Sequence, residues 1–302
     1  MGGDPVKILN FGSANIDHVY RVPHILKPGE TLCASDFQIF CGGKGANQSV
    51  ALARAGAEVF HGGFLGPDGG LLENALVSAG VHTDYLRRTE IPSGCTVIQV
   101  AEDGENSIIY YPGANHSLTE EYIRDTLGDF GPGDMVLCQN EISRVASVLK
   151  EGKKRGLTVC FNPSPITPEV NNLPLSCIDI FLVNRLEAEA LSGDAVDPGM
   201  ALLQRFPHST VVMTLGGEGV RAYRGKETYE VPGFRVRPVD TTGAGDTFTG
   251  YFLEAIGRGA ALKDALVRGC AGAALSVTNR GAIPSIPPRA EVDDFLRNDK
   301  DM

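Results

Sequence analysis

The stretch Asp240-Thr241-Thr242-Gly243-Ala244-Gly245-Asp246-Thr247-Phe248-Thr249-Gly250 concentrates the groups that could do chemistry. It joins a β-rich run, Tyr229 to Val239, to an apolar helical pattern that starts near Asp246. A Gly-Ala-Gly turn feeding a helix leaves backbone N–H groups unpaired and pointing outward, a ready anion site. Asp246 stands at the mouth of that site, and a second carboxylate, Asp240, stands six residues earlier. An acid placed where an anion should bind is out of place unless it removes a proton there. A helix N-cap beside a glycine turn would use the same residues, so the rest of the chain has to decide.

Gly42-Gly43-Lys44-Gly45-Ala46-Asn47-Gln48 is a glycine turn running into a helix that continues through Ala55. Lys44 is followed by Gly45 instead of Ser or Thr, and no G-x-G-x-x-G turn follows the first strand, so neither a P-loop nor a dinucleotide fold is supported. What remains suits close backbone approach to a polyhydroxyl ligand, with Asn47 able to donate and accept. A glycine loop kept for packing is the alternative. Asn15 and Asp17, two apart after the first strand, face one side when extended and can pin adjacent sugar hydroxyls. They could equally be turn residues.

The elements that would position these groups alternate. Strands are expected at Val6–Phe11, Glu58–Phe64, Met135–Gln139, Thr158–Phe161, Ile178–Val183 and Thr210–Thr214. Helices are expected at 70–79, 118–127, 142–155, from 186, 246–256 and 262–277. That order implies an α/β fold, a parallel sheet with helices packed on it. Two segments break the pattern, Glu30 to Phe40 and Tyr85 to Tyr111, which read as strands without helices; Asp103-Gly104-Glu105 marks a hairpin in the second. A small antiparallel sheet from segments of about 17–41 and 85–112 would be a lid, a dimer surface, or both, unless it extends the main sheet at its edge. The expectation is one domain, 1–302, with that lid. In open α/β sheets ligands gather at the carboxyl ends of the strands. Here those ends carry Asn15, Asp17, Gln139, Glu141, Asn162, Asn184, Gly216, Gly217 and the 243–246 turn.

Composition narrows the function classes. The 302 residues are 42% hydrophobic and 21% charged, as in an ordinary soluble globular protein. A net charge of −10 argues against nucleic acid or an acidic membrane as partner. An anionic substrate would then need helix N-termini, a lysine or a bound metal ion. Seven cysteines, with no CxxC pair, support neither a zinc site nor a disulfide framework. Cys138 and Cys160 lie in apolar runs and read as buried thiols. Met1–Asn10 has no secretory pattern and no apolar run reaches the length of a membrane span. The expected location is the cytoplasm.

Five stretches now stand in order: Gly12-Ser13-Ala14-Asn15-Ile16-Asp17-His18, Gly42 to Gln48, Gly113-Ala114-Asn115, Asn162-Pro163-Ser164-Pro165 and Asp240 to Phe248, the last preceded by Val231-Pro232-Gly233-Phe234. Together they resemble the ribokinase branch of the phosphofructokinase-B type sugar kinases, across nearly the whole chain. The resemblance implies a three-layer α/β/α sandwich with a small β-sheet lid. It implies ATP-dependent phosphorylation of a sugar's primary hydroxyl, D-ribose first. Another furanose, a nucleoside, or a catalytically silent sugar-binding regulator are the alternatives. Asp246 would be the base, and Gly243, Ala244 and Gly245 the anion hole. Asn15, Asp17, Gly42, Gly43, Lys44, Gly45, Asn47 and Glu141 would bind sugar. Asn184, Glu187, Thr214, Leu215, Gly216, Gly217, Glu218, Gly219, Gly245 and Cys270 would serve the nucleotide, Asn184 and Glu187 in a motif linked to magnesium and phosphate. Cys270 is a departure, since relatives can carry histidine there. A potassium site would map onto Asp240, Thr242, Ser276, Asn279, Gly281 and Ser285. Lids of this family often pair as a dimer.

Overall fold

Near-continuous apolar runs such as Met135-Val136-Leu137-Cys138 and Val211-Val212-Met213 belong to strands covered on both faces. In a strand, successive side chains point to opposite faces. Leu137, Cys160, Leu182 and Val212 accordingly enter one core, and Val136, Val159, Phe181 and Val211 the other. In this computed structural model residues 6–299 are described; Met1–Pro5, half of the stretch read above for a targeting signal, lie outside them. No helix among the described residues is long and apolar enough to cross a membrane.

The strands are β1 (Lys7–Phe11), β2 (Asn15–Val22), β3 (Asp36–Gly42), β4 (Glu58–Leu65), β5 (Leu86–Arg88), β6 (Gly94–Ala101), β7 (Asn106–Tyr111), β8 (Met135–Gln139), β9 (Thr158–Asn162), β10 (Ile180–Asn184), β11 (Thr210–Thr214), β12 (Gly219–Arg224) and β13 (Glu227–Pro232). The helices are α1 (Lys44–Ala55), α2 (Gly70–Ser78), α3 (Glu120–Thr126), α4 (Val145–Lys154), α5 (Arg185–Ser192), α6 (Pro198–Arg205), α7 (Ala244–Gly257), α8 (Leu262–Ser276) and α9 (Arg289–Asp299). Nine strands form the main sheet in the order β13-β12-β11-β10-β9-β8-β1-β4-β5. It is parallel except for the β11–β12–β13 meander. Residues of α1, α2, α7 and α8 fill one core, and residues of α3 to α6 the other. A second sheet, β3-β2-β6-β7, stands apart; it is mixed and not antiparallel as expected, because its central strands β2 and β6 pair in parallel. Strand order reverses between β1 and β8, so the crevice at their carboxyl ends is where a ligand is expected.

Several sequence expectations need correction. Leu86–Arg88, grouped above with the small sheet, pairs in parallel with β4 at the edge of the main one. Of Glu30 to Phe40 only the part from Asp36 is strand. The Tyr229–Val239 run stops at Pro232, whose ring removes the next ladder donor. The 142–155 helix starts at Val145, after Arg144 takes the left-handed conformation at φ 62. The 118–127 helix starts at Glu120, capped by Thr119, whose hydroxyl accepts from the Tyr122 N–H. Two helices were missed, α6 and α9. The first carried a legible start, Asp197 as cap and Pro198 in the first turn.

Close packing sets where the site forms. A Cβ on Gly250 would lie 2.4 Å from the Ala51 side chain, so the glycine lets α7 press directly on α1. That contact carries Asp246 to the start of α1, where Asn47 and Gln48 wait. Arg54 of α1 donates to the carbonyl of Ile283 at 2.9 Å and to that of Ile286, tying the segment after α8 to the same helix.

Candidate active site

α7 begins at Ala244, two residues earlier than the sequence pattern suggested, because Gly243 takes φ 75 and turns the chain into the helix. Gly243 is therefore the cap, and the N-cap reading of Asp246 is set aside. Asp246 is buried, and its carboxylate accepts from Asn47 Nδ2 at 2.9 Å and Gln48 Nε2 at 2.8 Å. Burial pushes its pKa up; Lys44 and the two amides pull it back without cancelling the rise. A carboxylate whose pKa sits above the ordinary range is better matched to taking a proton near neutrality.

Gly243, Ala244 and Gly245 line a cleft of about 190 Å³ with Lys44, Asn184, Glu187 and Thr214. The Ala244 N–H reaches the Thr241 carbonyl at 3.3 Å, while the Gly245 and Asp246 N–H groups have no backbone acceptor. Helix N-terminal donors without acceptors suit an anion. Burial pulls the Lys44 pKa down, but Asp246, Glu141 and Glu187 together leave it raised, so the ammonium is charged. Its side chain lies on the anion side of Asp246, not only among the sugar residues with which it was grouped. Asn184 and Glu187 form a capping box on α5: the Asn184 side chain accepts from the Glu187 N–H and Glu187 Oε2 from the Asn184 N–H, both at 2.9 Å. Their N-x-x-E spacing thus has a structural use, and both still face the cleft.

The small sheet brings in the other group. Asn15 is buried and accepts from Asn115 Nδ2 at 2.7 Å; Asp17 accepts from Thr96 Oγ1 at 2.6 Å. A Cβ on Gly42 would lie 1.9 Å from Asp17 Oδ2, so the first glycine of the pair makes room for that carboxylate. Burial raises the Asp17 pKa despite the Thr96 bond. Glu141, after β8, accepts from the Ser13 hydroxyl and from the Lys44 N–H at 3.1 Å. Burial is the main reason its pKa is raised, and Lys44 offsets part of the rise. Asn47 of α1 thus touches Asp246 directly, and Glu141 after β8 lies within charge range of both Asp17 and Asp246.

A second, larger cavity of about 580 Å³ continues from the first, sharing Thr214, Thr241, Ala244, Gly245 and Phe248. Gly216, Gly217, Gly219 and Cys270 line it; Leu215 and Glu218, also assigned to the nucleotide, do not. Cys270 is buried, which pushes its thiol up to about 12, so it offers an apolar wall instead of a polar contact.

Asp240 links two segments. Oδ1 accepts from the Thr242 N–H at 2.9 Å and hydroxyl at 2.7 Å, and Oδ2 from the Gly281 N–H at 2.9 Å. Partial burial raises its pKa, but these bonds outweigh that and hold it below the usual range. The Ser276 and Ser285 hydroxyls bond the local carbonyls of Ala273 and Ala282, and Asn279 bonds Thr278. Backbone carbonyls of this region, together with these hydroxyl and amide oxygens, are what it can offer a cation. No cluster of three or more His, Cys, Asp or Glu fit for a metal occurs among the described residues. One ionised carboxylate with neutral oxygens fits a monovalent ion better than a transition metal.

Sequence reasoning assigned no role to Ser13, Gln48, Thr96 or Asn115, all bonded to proposed site residues. Ser13, Gln48 and Asn115 lie inside the motif stretches; only Thr96 does not. A buried polar residue beside a glycine turn was the available signal.

Fold and site together define an α/β class in which a buried carboxylate adjoins both a cleft at a helix N-terminus and a set of buried polar side chains. The chain belongs to the pfkB family of carbohydrate kinases, whose profile matches residues 6–289. It is 40% identical over 298 residues to the ribokinase of Haemophilus influenzae, which spans 95% of this chain and 97% of that protein. A deoxyribokinase of Salmonella typhi is 32% identical over 298 residues, 94% of this chain and 97% of that one. Among solved structures, the ribokinase of Arabidopsis thaliana complexed with ribose and ATP matches with a TM-score of 0.86 at 34% identity, covering 97% of this chain and 99% of that one.

Proposed function

We propose that this protein transfers the terminal phosphoryl group of ATP to the primary hydroxyl of D-ribose, giving ribose 5-phosphate and ADP. The observation that carries the reading is the position of Asp246, a buried carboxylate between hydroxyl-binding groups and an anion cleft. Asn15, Asp17, Asn47 and Glu141 would hold the sugar so that its hydroxyl meets Asp246. The hydroxyl oxygen bonds to the γ-phosphorus, its proton passes to Asp246, and the bond to the β-phosphate oxygen breaks. Lys44 and the Gly245 and Asp246 N–H groups would take up charge on the moving group. The adjoining larger cavity, with Cys270 on its wall, would take the base of the nucleotide. Magnesium bound from the Asn184–Glu187 side would shield the phosphate charge. The deoxyribokinase relative supports deoxyribose as a second reading. A panel of sugars and nucleosides with ATP, assayed for ADP release, separates the two: ribose should be turned over fastest, and a nucleoside or deoxyribose ahead of it would overturn the assignment.

Asp240, with carbonyls of the 276–285 segment, would hold potassium, which when bound would neutralise a carboxylate that otherwise repels the phosphoryl group. Activity should rise several-fold when potassium replaces sodium or tetramethylammonium at constant ionic strength and saturating magnesium. Asp240→Ala should erase that difference, and equal wild-type rates in all three salts would rule the site out.

The small sheet would act as a lid, with Asp17 and Thr96 on the face toward the cleft. Its other face exposes Phe37, Ile39, Val97, Ile109 and Tyr111. An apolar patch of this kind suits a second copy of the chain. Sedimentation equilibrium should report a dimer that Ile109→Asp dissociates; a wild-type monomer at micromolar concentration would contradict it. Seven unpaired cysteines fit a reducing, cytoplasmic setting.

A further inference from the structure

Beneath Asp246 runs a chain of buried polar side chains that the reaction scheme above does not use. Gln48, Gln139, Asn10, Ser49 and His61 are each at most 1% exposed. Asn10 Nδ2 donates to the Gly45 carbonyl at 2.8 Å and to Ser49 Oγ at 2.9 Å. Gln139 Nε2 donates to Asn10 Oδ1 at 2.9 Å and to Gln48 Oε1 at 2.7 Å. Gln48 Nε2 then meets Asp246 Oδ1 at 2.8 Å and Asn162 Oδ1 at 3.3 Å. Ser49 Oγ lies 2.8 Å from His61 Nδ1.

An amide side chain can turn over, exchanging its donor and acceptor ends. Here none can. A backbone carbonyl only accepts, so Gly45 fixes the nitrogen of Asn10 and leaves its oxygen toward Gln139. That oxygen needs a donor, which fixes the nitrogen of Gln139 between two acceptors. Gln48 must present its oxygen to Gln139 and therefore its nitrogen to Asp246. The Leu182 carbonyl, accepting from Asn162 Nδ2 at 2.8 Å, fixes Asn162 to turn its oxygen toward the same Gln48 nitrogen. At the far end Ser49 Oγ accepts from Asn10 and lies 2.8 Å from His61 Nδ1, whose ring burial holds at a low pKa, about 4.

We propose that Gln48 is a positioning residue for the base, locked by Gln139 and Asn10 as a donor that holds one oxygen of the Asp246 carboxylate and favours its ionised form. The inference rests on the reading of Asp246 as base. It adds that the amide, which has no means to accept a proton from Oδ1, keeps the acid proton off that oxygen and bonds the ionised carboxylate more strongly than the neutral acid. The other charged groups facing Asp246 are Lys44 from α1, Glu141 after β8 and Glu187 from α5. All three are retained in the variants below.

The test compares Gln48→Leu, Gln48→Glu and Asp246→Asn with wild type, in ribose phosphorylation followed from acid to neutral pH. Gln48→Leu should lower kcat about 10- to 100-fold, the effect of one hydrogen bond to a charged group, with KM for ribose and ATP within about threefold. Losing a donor raises the Asp246 pKa, so the acid limb of kcat/KM should move to higher pH. Gln48→Glu keeps the size of the side chain and guards against a Leu variant that does not fold. It places an acceptor against an acceptor, and its limb should move further up than that of Gln48→Leu. Wild-type kcat and an unmoved limb in Gln48→Glu would overturn the proposal, as would equal losses in binding and turnover. Asp246→Asn separates the two claims. If it is inactive while the Gln48 variants are normal, the positioning role fails alone; if it is active, the base assignment fails first.

Discussion

Asp246→Asn should bind ribose and ATP almost as the wild type does and turn over roughly 10²–10⁴-fold more slowly, the range for loss of a positioned general base. Asparagine keeps the size of the side chain, and its oxygen can still accept from one of the two amides, Asn47 Nδ2 or Gln48 Nε2, that now hold the carboxylate. What it cannot do is take the hydroxyl proton. The loss should therefore fall on kcat. Single-turnover rates together with calorimetric titration of the sugar check this, and turnover within a few-fold of wild type would remove Asp246 as the base.

Asp17→Ala should act on the other side of the balance. The carboxylate is placed by Thr96 and by the missing Cβ of Gly42; the other charges on that face, Arg21 and Asp36, pair with each other farther along the sheet. Two hydroxyl bonds to a charge are worth about 1.5–3 kcal/mol each, so ribose affinity should fall by one to several orders of magnitude. ATP affinity should hardly change, because the larger cavity, proposed above for the nucleotide, includes no residue of β2. Calorimetry that finds unaltered sugar binding would take Asp17 out of the site.

What the sequence made legible follows from how local each signal is. The layers could be read because strands covered on both faces need no partner to be recognised; their apolar runs suffice. Gly243 to Asp246 could be nominated because the turn and the acid are neighbours. Lys44 shows the limit: its motif was found, but that it lines one cleft with Asn184 and Glu187, far along the chain, shows only in the fold. Leu86–Arg88 is too short for any alternation to assign it to a sheet. α9 is largely polar, with Glu291, Asp293, Asp294 and Arg297 outweighing its few apolar positions. Gln48 was inside the quoted motif, yet its orientation is set by Gln139, which is 91 positions away. Contacts of that separation leave no periodicity behind.

The most direct measurement is the phosphorus spectrum of the product made from ribose and ATP. Transfer to the primary hydroxyl puts the phosphoryl group on a CH2 carbon, so the new phosphomonoester signal should be split into a triplet by two protons. The same reaction with 5-deoxyribose should give no phosphomonoester and no ADP above background. A doublet would mean transfer to a secondary hydroxyl, and a product from 5-deoxyribose would mean that the hydroxyl facing Asp246 is a different one. Either result would contradict the account.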